Sequence, residues 1–561
     1  MLLMKLRKPR WSRILLFVFL GIAGLFIVLA IYLALVAIDY PPKVKDTSSL
    51  DLQRTQLDTN CYVIGKNWIR KNKGGLWEMY VEGNAFERGV INGKLSKELI
   101  YEQEKAFTDQ IIKMVPSNFY RHFLKYFVAW FNRDLDDNIT DEYKEEIFGV
   151  SRVASSEFDY IGSSYQRMMN YHAAHDIGHA LQNLALVGCS SFATWNQKSE
   201  DSLLIVGRNF DFYVGDHFAE NKIVYFCNPT QGNKFMMVTW GGLVGVVSGM
   251  NMEGLSLTLN AAKSTIPSGS ATPISLLARE VLQYATNIEQ AIEIVKKRKT
   301  FVSESFLIAS SNDRKAVIIE KTPSAFDVYE EKDNSIVCTN HYQGPDLFHQ
   351  KENLIQMSQS ASVYREERIR ELMDRVPINT PEATAKILRD QLGLEDKFIG
   401  YGNEKAVNQL IAHHAVIFEP QKRMVWVSTS PWQLGEFLAY DLNKIFAIDG
   451  LENNHELNDT LFTIKADSFL YSPEYKKFLE FRRLKAEILD GKDVDISNLI
   501  RSNPGYYHTY VLAGDQEFRH KNWELAIGYY MTAATKEVAT KSEEAYIIKR
   551  ILKCERKKLN N

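Results

Sequence analysis

Gly188-Cys189-Ser190-Ser191-Phe192, followed by Gly207-Arg208-Asn209-Phe210-Asp211, marks the point where the residue pattern of this chain changes. Before it, residues 39–188 read as mainly helical, with apolar positions at helical spacing in Tyr101 to Val115, Phe119 to Phe131 and Tyr160 to Val187. After it come short β-rich runs separated by Gly, Asn, Asp and Pro: Ser190 to Trp195, Leu203 to Phe212, Ile223 to Cys227, Phe235 to Trp240, Gly245 to Met250 and Leu255 to Ala261. A single amphipathic helix is expected over Ile274 to Lys297. Strands return at Phe306 to Ala309, Ala316 to Glu320, Ala325 to Tyr329 and Ile336 to Thr339. Helices follow at Ser362 to Asp374 and Pro381 to Leu392, then strands at His414 to Phe418, Met424 to Ser428 and Phe437 to Tyr440. Strands in blocks and helices in blocks predict an α+β fold, stacked antiparallel sheets covered by helices, compatible with an αββα sandwich.

The ends of the chain differ from this middle. Lys5, Arg7, Lys8, Arg10 and Arg13 precede an uninterrupted apolar run, residues 14–38, long enough to span a bilayer. Its length favours an uncleaved anchor over a secretory signal. The basic flank, residues 1–13, should stay cytoplasmic, placing everything after Asp39 outside the cytoplasm, in a bacterium the periplasmic side of the inner membrane. The tail, residues 461–561, reads as helical. Small residues in Leu512-Ala513-Gly514-Asp515 and Ala526-Ile527-Gly528 suit a close tetratricopeptide-like (TPR-like) hairpin. One such unit cannot make a solenoid, so a cap packed on the central domain is favoured over a partner-binding array.

Lys and Arg total 67 against 69 Asp and Glu, which leaves no basic footprint for nucleic acid. The five cysteines, Cys61, Cys189, Cys227, Cys338 and Cys554, are too few and scattered for a disulfide framework and show no CxxC metal spacing. Four read as small apolar packing residues, and Cys189 as the odd thiol. His172, His175 and His179 share one face of a helix with Asp176 beside them, but packing of the segment before Cys189 is preferred to a metal site. No phosphate loop is present, and no cofactor is implied.

Cys189 has a distinct chemistry available to it. A thiol in mid-chain lacks a base, whereas a cysteine released at a new N-terminus carries an α-amine that can serve as one. Cutting between Gly188 and Cys189 would therefore create an active site from a zymogen. Arg208 is expected to lower the thiol pKa, and Asp211 to orient the freed amine. Asn260, at the end of a strand, is the expected oxyanion donor, with Asn340 completing a polar wall. Arg365 is expected to secure the charge network, although Arg368 lies one helical step away.

Gly83-Asn84-Ala85-Phe86-Glu87-Arg88-Gly89 with Gly93, the Gly188-Cys189 junction, Arg208 to Asp211, Asn251-Met252-Glu253-Gly254-Leu255 leading to Asn260, Asn340, and Ser362-Val363-Tyr364-Arg365 occur in a fixed order. In that order they resemble the acyl-CoA:6-aminopenicillanic-acid acyltransferase family of cysteine N-terminal nucleophile (Ntn) hydrolases, relatives of the choloylglycine hydrolases, over about residues 75–445. The resemblance implies the αββα fold in an Ntn-hydrolase domain at residues 189–460, self-cleavage, and chemistry on a non-peptide N-acyl amide. Hydrolysis by an amidase and transfer to an amine by an acyltransferase both remain open, and an idle membrane scaffold using the C-terminal helices to hold a protein partner is the alternative of another class.

Overall fold

The computed structural model describes residues 10–36, 38–181, 188–212, 219–263, 269 and 271–559. Helix α1 (Arg10–Val36) is followed by strands β1 (Thr55–Asp58), β2 (Cys61–Ile64), β3 (Asn67–Lys71) and β4 (Trp77–Gly83). Helices α2 (Ala85–Leu95), α3 (Lys97–Met114), α4 (Asn118–Phe131), α5 (Asp141–Ser151) and α6 (Ser164–Leu181) lead to the Cys189 region. Then come β5 (Ser190–Thr194), β6 (Ile205–Phe210), β7 (Ile223–Pro229), β8 (Phe235–Thr239), β9 (Ser248–Asn251) and β10 (Leu255–Ala261). Helices α7 (Ile274–Tyr284) and α8 (Ile288–Lys297) precede β11 (Glu304–Ser310), β12 (Lys315–Lys321), β13 (Phe326–Tyr329) and β14 (Ser335–Cys338). Helices α9 (Pro345–Phe348), α10 (Lys351–Gln359), α11 (Ser362–Asp374) and α12 (Pro381–Leu388) are followed by β15 (His414–Glu419), β16 (Met424–Ser428), β17 (Phe437–Asp441), the short α13 (Leu442–Ile445) and β18 (Asp459–Ile464).

These strands form two sheets. One has 11 strands in the order β1-β2-β3-β4-β7-β8-β9-β10-β11-β12-β13, and the other has 7 in the order β14-β5-β6-β15-β16-β17-β18. Every neighbouring pair is antiparallel except β4 and β7, which run parallel from Trp77 beside Ile223 to Gly83 beside Pro229. Residues alternate between faces, so each sheet has two apolar sides to cover. Val224, Phe226, Met236, Val238 and Ile318 of the larger sheet meet Val206, Val416, Phe418, Val425 and Val427 of the smaller one in a shared core. The outer face of the larger sheet packs Tyr225, Met237, Leu257 and Ile308 under Leu277 and Val281 of α7 and Val295 of α8. The outer face of the smaller sheet packs Phe192, Ile417 and Trp426 under Ile369 of α11 and Leu388 of α12. Four layers result, helices, sheet, sheet and helices, as expected, and each fully buried aliphatic or aromatic side chain among them contributes about 1.5–3 kcal/mol.

The segment before Cys189 is less helical than its periodicity predicts. Residues 55–83 supply four strands to the larger sheet, so the part of the chain after Cys189 does not build that sheet alone. The runs are short and joined by tight turns at Asn60, φ 53°, and Gly65, φ 56°, which a helical reading overlooks. The expected single helix over 274–297 is broken into α7 and α8, because Asn287 leaves the helical region and accepts a hydrogen bond from the Gln290 amide as a fresh N-cap.

The Gly83 to Gly93 motif is a packing device. Asn84 caps α2 and closes a reciprocal box with Glu87. Arg88 pairs with Glu146 of α5 at 2.7 Å, and Arg279 of α7 reaches the same carboxylate at 3.1 Å. Burial pushes the Glu146 carboxyl up, but Arg279 and Arg88 together outweigh it and hold the group below its ordinary range. Gly89 lies directly against the Glu146 backbone, where any side chain would collide with the carbonyl. The motif therefore locks α2 onto α5.

The tail forms α14 (Pro473–Leu489), α15 (Ile496–Ser502), α16 (Tyr507–Arg519), α17 (Trp523–Ala534) and α18 (Lys541–Leu559). Gly514 of α16 lets Tyr530 of α17 approach closely, the contact its small residues predict. Their core also takes in Leu410 and Leu434, so the tail packs on the central layers. Asn503 and Tyr401 exchange two hydrogen bonds, and Lys397 and Lys405 pair with Glu537 at 2.7 and 2.6 Å. α1 has the length and apolar composition of a helix able to cross a membrane.

Candidate active site

Strand β5 runs between β14 and β6, with Ser191 opposite both Cys338 and Arg208. Alternation puts Cys189 and Ser191 on one face, and the cross-strand register puts Arg208 on that same face beside them. Cys189 is 1 % exposed. Arg208 Nη2 points at its Sγ from 3.6 Å. The other Arg208 contacts are to neutral groups: the carbonyls of Val247, at 2.8 Å, and Leu259, and the hydroxyl of Ser248. Its guanidinium also stacks on the Phe210 ring at 4.5 Å.

Arg208 alone does not ionise the thiol in the intact chain. Burial raises the Cys189 pKa more than the guanidinium lowers it, and the carboxyls of Asp211 and Glu304 add to the rise. Burial likewise lifts Asp211 to about 7, against the pull of Arg365 and Arg208. Its Oδ1 is buried without a hydrogen-bond partner, while Gln409 Nε2 reaches Oδ2 at 3.4 Å. The Asp211 backbone carbonyl accepts the Gly188 N–H at 3.0 Å, which ties the carboxyl's strand end to the junction.

Arg365, from the outer helix α11, enters the junction from the opposite side. Its Nη1 donates to the carbonyls of Gly188 and Cys189 at 3.1 and 2.6 Å and to Ser190 Oγ at 2.8 Å, and its Nη2 donates to Asn340 Oδ1 at 2.6 Å. Arg368 is engaged elsewhere, with Asp390, Glu371 and Asp396 at 2.8–2.9 Å. Asn340 passes the chain of bonds on to the Ala261 carbonyl at 2.8 Å. Asn260 belongs to the same wall. Its Nδ2 donates to the Cys338 carbonyl, and its Oδ1 accepts from Ser191, both at 2.9 Å, so the amide contacts the strands flanking Cys189 and not the Gly188 carbonyl.

Gln409 is the residue that sequence reading missed. It donates to the Gly188 carbonyl at 2.9 Å, making a second donor there beside Arg365. It sits in the loop before β15, which has no periodic signal, and only its neighbour Asn408 begins a recognisable turn. A Cβ at position 188 would displace the Gln409 amide from the Gly188 carbonyl. Gly188 is not among the positive-φ glycines, so its backbone is one that other residues adopt.

His172 and Asp176 serve packing. His172 accepts from the Val244 amide at 3.0 Å and its other ring nitrogen bonds the Met168 carbonyl at 2.7 Å; burial lowers its pKa to about 4. Asp176 Oδ2 accepts from the Ile274 amide at 2.8 Å at the start of α7. The side chains of His175 and His179 lie outside the described residues, and no group of three or more potential metal ligands occurs among the described residues. Cys61, Cys227, Cys338 and Cys554 are unpaired and buried, as packing residues should be.

Residues 195–430, which include Arg208, Asp211, Asn260, Asn340, Arg365 and Gln409, match the family model of acyl-coenzyme A:6-aminopenicillanic acid acyl-transferase. An uncharacterized protein of Archaeoglobus fulgidus is 25% identical over 325 residues, 51% of this chain and 54% of that protein, so the chain spans about half the length of the curated relative it matches. The Caenorhabditis elegans N-acylethanolamine-hydrolyzing acid amidase ortholog is 17% identical with a TM-score of 0.30, covering 41% of this chain and 93% of its own. A mutant conjugated bile acid hydrolase from Clostridium perfringens is 13% identical with a TM-score of 0.32, covering 46% and 93%. The matched range begins after Cys189 and is similar, over residues 195–430, to the acyl-coenzyme A:6-aminopenicillanic acid acyl-transferase family.

Proposed function

We propose that the chain is a membrane-anchored, self-cleaving cysteine amidohydrolase of the Ntn type, with Cys189 as nucleophile. The observation that carries this reading is the geometry of the junction, where the Gly188 carbonyl rests on two donors, Arg365 and Gln409, while the Cys189 thiol next to it faces Arg208. In maturation the Sγ–carbon bond forms at the Gly188 carbonyl as the Gly188–Cys189 C–N bond breaks, and the nitrogen keeps the thiol's proton. The resulting thioester then takes water, releasing a Gly188 carboxylate and a free Cys189 thiol. The two donors stabilise the oxyanion through which both steps pass.

In turnover the new α-amine takes the thiol proton and the thiolate attacks an N-acyl amide. The amine then returns its proton to the departing nitrogen, leaving an acyl thioester that water resolves. The unpartnered Oδ1 of Asp211 is a ready acceptor for that α-amine. The family match supports chemistry on carbon–nitrogen bonds. It also favours a second reading in which an amine resolves the thioester, since the matched family is named for acyl transfer.

The anchor is α1. α4 lies beside it and leaves Phe119, Tyr120 and Tyr126 exposed, aromatics of the kind enriched at membrane–water boundaries. The proposal is tested by sequencing the N-termini of the purified protein: a fragment beginning at Cys189 is expected in the wild type and none from Cys189→Ala. A Cys189→Ala chain still cut after Gly188 would disprove self-cleavage by this thiol. Product analysis on an N-acyl amide, with and without an added amine, separates hydrolysis from transfer.

A further inference from the structure

The functional reading leaves one buried polar chain unused. His414 opens β15 directly opposite Phe210, two positions from the Val416–Arg208 pair, so its ring lies between the sheets on the Arg208 face. Its Nε2 is 2.9 Å from Ser248 Oγ, the hydroxyl that accepts from Arg208 Nη1. Its Nδ1 is 3.0 Å from Nδ1 of His413. All four side chains are buried, His414 and Ser248 fully.

The donor roles along this chain follow from valence. A guanidinium only donates, so Ser248 Oγ accepts from Arg208. The single hydroxyl proton then needs an acceptor, and His414 Nε2 is the one in reach. A ring that accepts at Nε2 carries its proton on Nδ1 and donates it to His413 Nδ1. Neutral His414 satisfies every bond. A protonated ring would donate at both nitrogens and leave the Ser248 proton without an acceptor. Burial, together with the positive fields of His413, Arg208 and Lys222, keeps the ring neutral. Lys222 is the other cation at this end of the core, donating to the His413 carbonyl at 3.0 Å. The remaining charged groups facing the cluster are Asp211 and Glu304, which act on Arg208 through space.

We propose that Ser248 and His414 are positioning residues that aim the Arg208 guanidinium at the Cys189 sulfur. Arg208 has no carboxylate in hydrogen-bond contact; among the described residues its partners are neutral oxygens and the Cys189 sulfur. A thiolate is thus the one anion that the guanidinium directly meets. The hydroxyl of Ser248, oriented by His414, fixes Nη1, and the rigid plane of the guanidinium then fixes Nη2 at the sulfur. The proposal rests on Cys189 being the reactive thiol of the mature enzyme.

The test is the pH dependence of Cys189 alkylation by iodoacetamide in the mature full-length protein, with the labelled peptide identified by mass. His414→Phe and Ser248→Ala should each move the alkylation profile up by about one pH unit, a loss of about tenfold in rate on its low-pH limb, with the high-pH plateau unchanged. His414→Gln, whose amide oxygen accepts where Nε2 did, should restore most of the rate. A purely structural role would lower the plateau or the melting temperature and leave the profile's midpoint in place, and would overturn the proposal. So would a His414→Phe profile that overlays the wild type, or a His414→Gln profile shifted as far as His414→Phe. If the wild-type label falls on another cysteine, the functional reading fails first and this inference with it.

Discussion

The side-chain amide of Gln409 lies 2.9 Å from the carbonyl oxygen of Gly188, and Arg365 reaches the same oxygen from 3.1 Å. Two donors converge on the one carbonyl that must become tetrahedral if the chain cuts itself. Removing one donor of this kind typically costs about a hundredfold or more in rate. Gln409→Ala should slow conversion of the full-length chain by that order, followed as the appearance of the Cys189 fragment on denaturing gels. Wild-type conversion by Gln409→Ala would exclude a role for this amide.

Asn260 separates maturation from turnover. Its amide contacts Cys338 and Ser191 and not the Gly188 carbonyl, so Asn260→Ala should be processed at close to the normal rate. If the second N–H serves the oxyanion of a bound N-acyl amide, kcat of the processed variant should fall about a hundredfold with KM changed much less. A fully processed Asn260→Ala enzyme with normal kcat would remove Asn260 from the mechanism.

Asp211 links stability to pH. Its pKa rises from 3.8 to about 7 on folding, so between these values the folded chain binds the extra proton. The contribution is favourable at low pH and is lost as pH rises through about 7, at most about 4 kcal/mol for a shift of this size. In an uncut Cys189→Ala background, Asp211→Asn should therefore be stabilising at pH 8 and progressively less so towards pH 5. Thermal melts showing the same difference at both pH values would contradict the assignment.

The anchor reading predicts orientation. With residues 1–13 held in the cytoplasm, protease added to the outer face of the inner membrane should digest the region after Asp39. Digestion only from the cytoplasmic face would invert the topology, and a soluble form beginning near Ile38 would identify a cleaved signal.

What the sequence disclosed depended on how local the determining interaction is. Strands β5 to β17 were readable because alternation and turn residues are local, and the β10 and α11 boundaries agree to the residue. Strands β1 to β4 were not, because their place in the sheet, through the pairing of β4 with β7, is settled by tertiary structure and most of their runs are too short for periodicity to register. Cys189, Arg208, Asp211, Asn340 and Arg365 converge because the motifs carrying them sit at strand ends and a helix start. Gln409 escaped notice since a loop glutamine has no pattern, and its place depends on contacts distant in sequence: its loop is braced by Asn503 and Glu537 from the tail. The neutral state of Cys189 in the uncut chain was equally invisible, because burial outweighs the nearby guanidinium and burial is not written in a motif.

The parallel ladder between β4 and β7 joins strands on opposite sides of the Gly188–Cys189 bond. After scission the molecule would be a pair of polypeptides woven through one sheet, with the lipid-soluble helix on the first and the reactive sulfur on the second. The first becomes a tether and the second its cargo, connected by backbone hydrogen bonds, core packing and side-chain contacts such as the Arg279–Glu146 pair. Detergent would extract the pair intact, whereas denaturant would free the sulfur-bearing polypeptide from the bilayer without breaking another covalent bond.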